Sequence, residues 1–174
     1  MSSLEEPVDD PECGHDAVLY LLCGRVAAGK STLAKSLARR HNAVLIGEDY
    51  CLSLLYSDAI RNFQDYIAYS QRLRKLISPH CVELLRRGIN VVLDFPANTP
   101  KCRQWLKHIV EQAKARHVLH YVATPKEQCR QQLHQRIAEQ GDNASPIGLK
   151  EFERINQYFV PPDVAEGFNV EIKR

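Results

Sequence analysis

Eight consecutive residues, Gly24-Arg25-Val26-Ala27-Ala28-Gly29-Lys30-Ser31, satisfy the pattern G-x-x-x-x-G-K-[ST] with no mismatch. A loop of this kind at a helix N-terminus wraps a polyphosphate with backbone N–H groups, and the helix dipole favours the negative charge. Lys30 is expected to reach the β and γ phosphates of a nucleoside triphosphate. The Ser31 hydroxyl is expected to ligate Mg2+, with Thr32 continuing the phosphate-binding run. Gly29 permits a close backbone approach that a side chain would block. The bland alternative is an ordinary strand-to-helix turn that happens to contain Gly and Lys. The apolar run before it and the helical pattern after it weigh against that.

Three further groups have the chemistry to act on a phosphate. Asp94 ends the apolar run "INVVLD", where a carboxylate holds Mg2+ or its water shell; otherwise it caps the next loop. Glu48 and Asp49 follow the apolar run "AVLIG", at the carboxyl edge where α/β sheets bind ligands. A carboxylate there can take a proton from an attacking hydroxyl. The competing role for Asp49 is N-cap of the helix that follows. Arg130 and Arg136 lie on a helix leading into the polar stretch "EQGDNASPIG", and Arg154 lies on the next one. Arginines beside a mobile lid close over a γ-phosphate and exclude water. Arg136, then Arg130, stand closest to the loop; solvated surface charge is the alternative for each.

The elements that must carry these residues alternate. Residues 17–23 form a continuously apolar strand, and a helix runs from 30 to 40 with Leu33 and Leu37 on one face. Strands follow at 43–46, 89–94 and 117–122, and "FNVEI" adds a late one. Residues 50–77 read as helical, with Tyr56, Phe63, Tyr66 and Tyr69 either stacking on a ligand ring or filling the core. "SPHCVELLRRG" reads as a separate helix, with Ser78 as N-cap, Pro79 at the first position and Gly88 beyond the end. Thr99-Pro100 and Thr124-Pro125 open two more helices, and "LKEFERINQYF" a last one before Pro161-Pro162. This alternation predicts a three-layer α/β fold of the P-loop NTPase type with a mainly parallel sheet, nucleotide-kinase-like.

Length and composition set the frame. A chain of 174 residues, 44% apolar and 25% charged, suits one globular domain. Residues 1–16 hold six acidic side chains and no Lys or Arg, and read as a disordered tail. Residues 17–174 then carry 23 basic against 15 acidic side chains, a balance of +8 that favours an anionic ligand. They are expected to form one domain with a lid over about 130–155. Six scattered cysteines without a C-x-x-C pair read as reduced thiols rather than a zinc site. With no signal-peptide pattern and no run of about 20 apolar residues, a cytoplasmic protein with no membrane segment is expected.

The segments "CGRVAAGKSTLAKSLARRHNAVLIGEDY", "VVLDFPANTPKCRQWL" and "YFVPPDVAEGFNV" resemble the small P-loop kinases of the zeta-toxin and polynucleotide-kinase-like group. The likeness spans residues 17–172 and is greatest to short ATP-binding kinases whose acceptors are mostly unassigned. It implies a phosphotransferase using ATP and Mg2+, with the acid after the second strand as base. The G-x-D register puts that acid at Asp49, with Glu48 one residue earlier. Relatives often carry an arginine about three residues on, where this chain has Leu52. The toxins' long insertions for nucleotide sugars are missing, as is the N-K-x-D guanine reader of GTPases. A small-molecule hydroxyl acceptor between residues 50–77 and the sheet edge is the expectation, with Asn98 a polar contact on the "FPAN" wall. A 5′-hydroxyl nucleic-acid kinase is the less favoured enzyme, since "RLRK" and Arg86-Arg87 are too brief for a basic groove. The alternative outside catalysis is a partner-binding switch that holds ATP without transferring its phosphate.

Overall fold

Seven buried residues, Val18–Gly24, form strand β1 at the centre of the sheet. Its side chains alternate between two cores, as a pleated strand covered on both faces requires. Leu19, Leu21 and Cys23 enter the larger core; Val18, Tyr20 and Leu22 enter a smaller one with Ala34 and Leu37 of helix α1, Lys30–Arg40. The computed structural model describes residues 16–140 and 149–173. The expected acidic tail, apart from Asp16, and residues 141–148 of the expected lid lie outside them.

The chain continues through β2 (Val44–Gly47), α2 (Glu48–Tyr56), α3 (Phe63–Arg86), β3 (Val91–Pro96), α4 (Pro100–Ala113) and β4 (Arg116–Val122). Helices α5 (Lys126–Gln140) and α6 (Leu149–Asn156) follow, then one 3-10 turn at Val164–Glu166 and β5 (Val170–Lys173). The strand order is β2-β3-β1-β4-β5 and all four pairings are parallel. The three-layer parallel α/β expectation holds, including the late strand. Among the described residues no helix is long and apolar enough to cross a membrane.

The helical region after β2 differs from the sequence expectation. Residues 63–86 form one 24-residue helix, α3, with Pro79 inside it. Ser78 is therefore no N-cap: its hydroxyl donates to the Arg74 carbonyl at 2.6 Å and accepts the Trp105 indole N–H at 2.8 Å. The real cap is Asn62, whose side chain accepts from the Gln64 and Asp65 N–H groups. An internal proline costs about 3 kcal/mol through its missing hydrogen bond and ring clash. The helix continues because Leu73, Cys81, Val82 and Leu85 extend one buried face past the proline.

The C-terminal segment is tied back by a buried guanidinium. Arg103 on α4 has no exposed surface, and each of its five N–H donors has an acceptor. Two bonds go to Glu166, at 2.7 and 2.8 Å, and three to the carbonyls of Ala97, Val160 and Pro161. Replacing Arg103 by Leu is expected to destabilise the protein by about 3 kcal/mol, roughly 10 °C in Tm, because five hydrogen bonds are lost at once and the Glu166 carboxylate keeps only the Asp163 N–H among the described residues. Lys is not expected to rescue, since a single ammonium cannot span a planar fork of acceptors. Thermal melts of wild type and both variants check this; a Leu variant within about 1 kcal/mol of wild type would contradict it.

Candidate active site

The G-x-x-x-x-G-K-[ST] loop connects β1 to α1, as its sequence implies. Gly24 is required by packing, since a Cβ there would sit 2.8 Å from the Val122 carbonyl oxygen on β4. Gly29 is required by conformation: its φ of +93° favours glycine, and apart from the adjoining chain nothing lies within 4 Å of where its Cβ would be. That open space leaves room for a ligand. Loop shape is held from several sides. Asn98 accepts the Gly24 N–H at 3.0 Å, and the Thr124 hydroxyl donates to the Ala28 carbonyl at 3.3 Å. Lys30 Nζ donates to the carbonyls of Gly24 at 2.8 Å and Arg25 at 2.7 Å. Arg25 lies over the Phe159 ring at 4.5 Å, so the segment that Arg103 anchors also braces the loop.

Strand register brings the carboxylates to the loop. Gly47 of β2 pairs with Asp94 of β3, which sets Glu48 and Asp49, the next two residues, beside Asp94. Pairing between β1 and β3 passes from Leu21–Leu93 to Leu22–Pro96, leaving Asp94 and Phe95 in a bulge opposite β1. Such bulges re-aim side chains at sheet edges beside sites. Asp49, Asp94, Lys30 and Ser31 all line one cleft of about 850 Å3, which is the size of a small-molecule site.

The two candidate bases are in different situations. Glu48 is fully buried, and its oxygens accept from the Tyr66 hydroxyl at 2.7 Å, the Ser70 hydroxyl at 2.5 Å, and Arg74 Nε and Nη2 at 3.3 and 3.2 Å. Its lone pairs are used up in joining α3 to the sheet edge. Asp49 caps nothing, because the N-cap of α2 is Gly47, and among the described residues its carboxylate has no hydrogen bond or ion pair. Its carboxylate is exposed to solvent in the open cleft, although the surrounding protein displaces part of its hydration shell. That partial desolvation, with the charges of Glu48 and Asp94, raises its pKa above the usual carboxylate value, against the opposing pull of Lys30 and Arg136. Burial also lowers the pKa of Lys30, opposed chiefly by Asp94.

Of the three candidate arginines, Arg136 and Arg154 line the cleft, whereas Arg130 is exposed on α5 and is not on its wall. Arg154 lies 5.0 Å over the Phe63 ring, joining α6 to the start of α3 across the mouth. Helices α5 and α6 are seated by a small core of Ala28, Cys129, Leu133 and Phe152 that includes the loop itself. The aromatic residues divide: Phe63 and Tyr66 line the cleft, while Tyr56 and Tyr69 stack on each other at 4.3 Å. Asn98 lines it too, but its side-chain oxygen is engaged by the loop.

Arg74 and Lys75, which the sequence offers only within the brief basic run "RLRK", stand on the cleft wall, as do Lys101 and Trp105, which no motif singles out. A signal for Arg74 exists. Tyr66, Ser70, Arg74 and Ser78 recur every fourth residue, a polar stripe on a helix that otherwise needs an apolar face there.

A family model described as an AAA domain matches residues 19–162. The chain belongs to that family. A search of the curated proteins finds no significant match. Among solved structures, the chain is similar to a proposed kinase from Chloroflexus aurantiacus, with a TM-score of 0.72 and 13% identity over 92% of this chain and 86% of that one. It is similar to Kti12 from Chaetomium thermophilum in complex with ADP-AlF3, with a TM-score of 0.66 and 16% identity, covering 89% of this chain and 88% of that one. The Mycobacterium tuberculosis APS kinase CysC, in complex with AMPPNP and APS, gives 0.59 and 18%, covering 85% and 84%. At these identities the likeness is one of fold, the fold of small P-loop kinases.

Proposed function

We propose that this AAA-domain protein is an ATP-dependent phosphotransferase that moves the γ-phosphate of ATP to a hydroxyl of a small molecule. The observation that carries this is Asp49, a carboxylate with no hydrogen-bond or ion-pair partner among the described residues and a raised pKa, in the same cleft as the phosphate loop. The acceptor hydroxyl gives its proton to Asp49 as its oxygen bonds the γ-phosphorus, and the bond from that phosphorus to the β–γ bridging oxygen breaks, releasing ADP. Lys30 leaves the Gly24 and Arg25 carbonyls for the phosphates, and loop N–H groups from 25–31 hold the β-phosphate. Arg136 and Arg154 take up charge on the transferring group and shield it from water, a role for which Arg130 is less well placed.

Ser31 and Asp94 are the residues to hold Mg2+. No group of three or more His, Cys, Asp or Glu side chains able to hold a metal occurs among the described residues. That fits an ion held mostly by water and phosphate oxygens, as Mg2+ commonly is, rather than by an all-protein cage. When bound, Mg2+ would neutralise phosphate charge and orient the triphosphate.

The test is transfer of labelled γ-phosphate from ATP, with Mg2+, into a fractionated cell extract. A labelled compound other than free phosphate is expected. Tight ATP binding with only free phosphate, or none, would overturn the kinase reading in favour of an ATP-held switch that acts on a partner.

A further inference from the structure

The cleft is electrically divided. Every acid on its wall comes from the sheet edge: Glu48, Asp49 and Asp94. The opposite wall, built by α3, α4 and the turn before α4, contributes Arg74, Lys75 and Lys101 and no acid. Glu48, the acid nearest this wall, is saturated by its own hydrogen bonds, one pair of them from Arg74. Lys75 and Lys101 are exposed in the cleft and form no ion pair among the described residues.

Arg74 is held in place rather than free to follow a ligand. Glu48 fixes Nε and Nη2, Cys102 Sγ lies 3.4 Å from Nη1, and the guanidinium sits 5.0 Å over the Trp105 ring. These contacts use three of its five N–H groups, and the side chain keeps 19% of its surface exposed. A pre-set guanidinium with spare donors, flanked by two uncommitted ammonium groups, matches an oxyanion in both charge and geometry. Filling this wall with a neutral molecule would leave the lysines without a counter-charge.

Resting on the kinase reading, we infer that Arg74, Lys75 and Lys101 form a subsite for an anionic group on the acceptor, which is therefore a hydroxyl compound already bearing a phosphate or carboxylate. Attack occurs at the Asp49 end while the anion is held at the α3–α4 wall. The positive wall thereby selects among acceptors and offsets the repulsion between an anionic acceptor and ATP.

Two arms test this and fail separately from the kinase reading. Trp105 is the chain's one tryptophan, so its emission reports on the subsite. Protein loaded with Mg·ADP, which occupies the phosphate loop, is titrated with inorganic phosphate against chloride at matched ionic strength. A saturable change specific to phosphate is expected, weakened about tenfold or more in the Lys75→Ala/Lys101→Ala double variant. Both lysines are exposed, and Arg74 with its structural contacts is left intact. No phosphate-specific response, or a double variant that titrates like wild type, would overturn the subsite.

In the second arm, low-molecular-weight extract freed of RNA is split on an anion-exchange resin before labelling. Acceptor activity is expected in the retained fraction; activity in the flow-through would overturn the anionic acceptor while leaving the kinase standing. Phosphatase treatment of the retained fraction beforehand separates the sources, abolishing acceptance for a phosphate ester and sparing a carboxylate. A phosphate response with no labelled product in any fraction would sink the kinase reading and keep the anion site.

Discussion

Replacing Asp49 by Asn is expected to cut phosphoryl transfer by about 10²- to 10⁴-fold, the usual contribution of a positioned general base. The amide has nearly the same shape, but it cannot accept the acceptor's proton. Asp49 makes no hydrogen bond among the described residues, so none is lost. Loss should fall on kcat, and ATP should bind at least as well, because one negative charge leaves the surroundings of the triphosphate. Single-turnover transfer and direct ATP titration check both halves. A variant that transfers at more than about a tenth of the wild-type rate would remove Asp49 from the mechanism.

The raised pKa adds two signatures. In wild type, kcat/KM reports the groups of the free enzyme. Its acid limb should lie above the ordinary aspartate value of 3.8, because the active form is the ionised carboxylate that partial desolvation and Glu48 disfavour. The alkaline limb should lie below the ordinary lysine value of 10.5, because burial disfavours the charged form of Lys30. For stability the sign is as follows. A carboxyl whose folded pKa exceeds its unfolded one supports the fold below the unfolded value. That support is lost as pH rises through the folded value. At neutral pH the ionised Asp49 thus opposes folding, and the neutral Asn variant should melt no lower than wild type. An inactive variant with undiminished Tm separates a functional role from a structural one.

Replacing Lys30 by Ala is expected to act on ATP binding as well as on transfer. Nζ donates two charge-assisted hydrogen bonds to loop carbonyls, and the same group would exchange these for phosphate oxygens when ATP enters. At about 1.5–3 kcal/mol for each such bond, losing two weakens transition-state stabilisation by about 10²-fold or more. Removing the ammonium also takes away a positive charge that acts on Asp49 and Asp94 beside the triphosphate site. The two variants should therefore diverge in ATP titrations: Asp49→Asn retains affinity, and Lys30→Ala loses it. Equal ATP affinity for wild type and Lys30→Ala would show that the loop does not hold the triphosphate through this side chain.

Much of this site is legible in the linear sequence because its parts are local. The phosphate loop is a contiguous run whose glycine, lysine and serine are each needed within one turn of backbone. Asp49 and Asp94 stand where apolar strands end, and parallel strands place those ends on one edge whatever the details of packing. Asn62, by contrast, went unread as a cap, and Pro79 looked like a helix start. Local chemistry at a proline favours a boundary, and only the long buried face from Leu73 to Leu85 outweighs it.

What the sequence by itself determined is the phosphate loop, the α/β order and the two carboxylates at the sheet edge. Only the tertiary structure shows how differently Glu48 and Asp49 are engaged, which supports the Asp49 that the G-x-D register had already favoured as base. Glu48 accepts hydrogen bonds from Tyr66, Ser70 and Arg74, which lie 18 to 26 residues away along the chain. It alone also separated Arg136 and Arg154 from Arg130, and joined Arg103 to Glu166 across 63 residues. The reason is physical. A carboxylate's role depends on which donors reach its lone pairs, and those donors arrive with helices whose positions are set by packing, not by spacing along the chain.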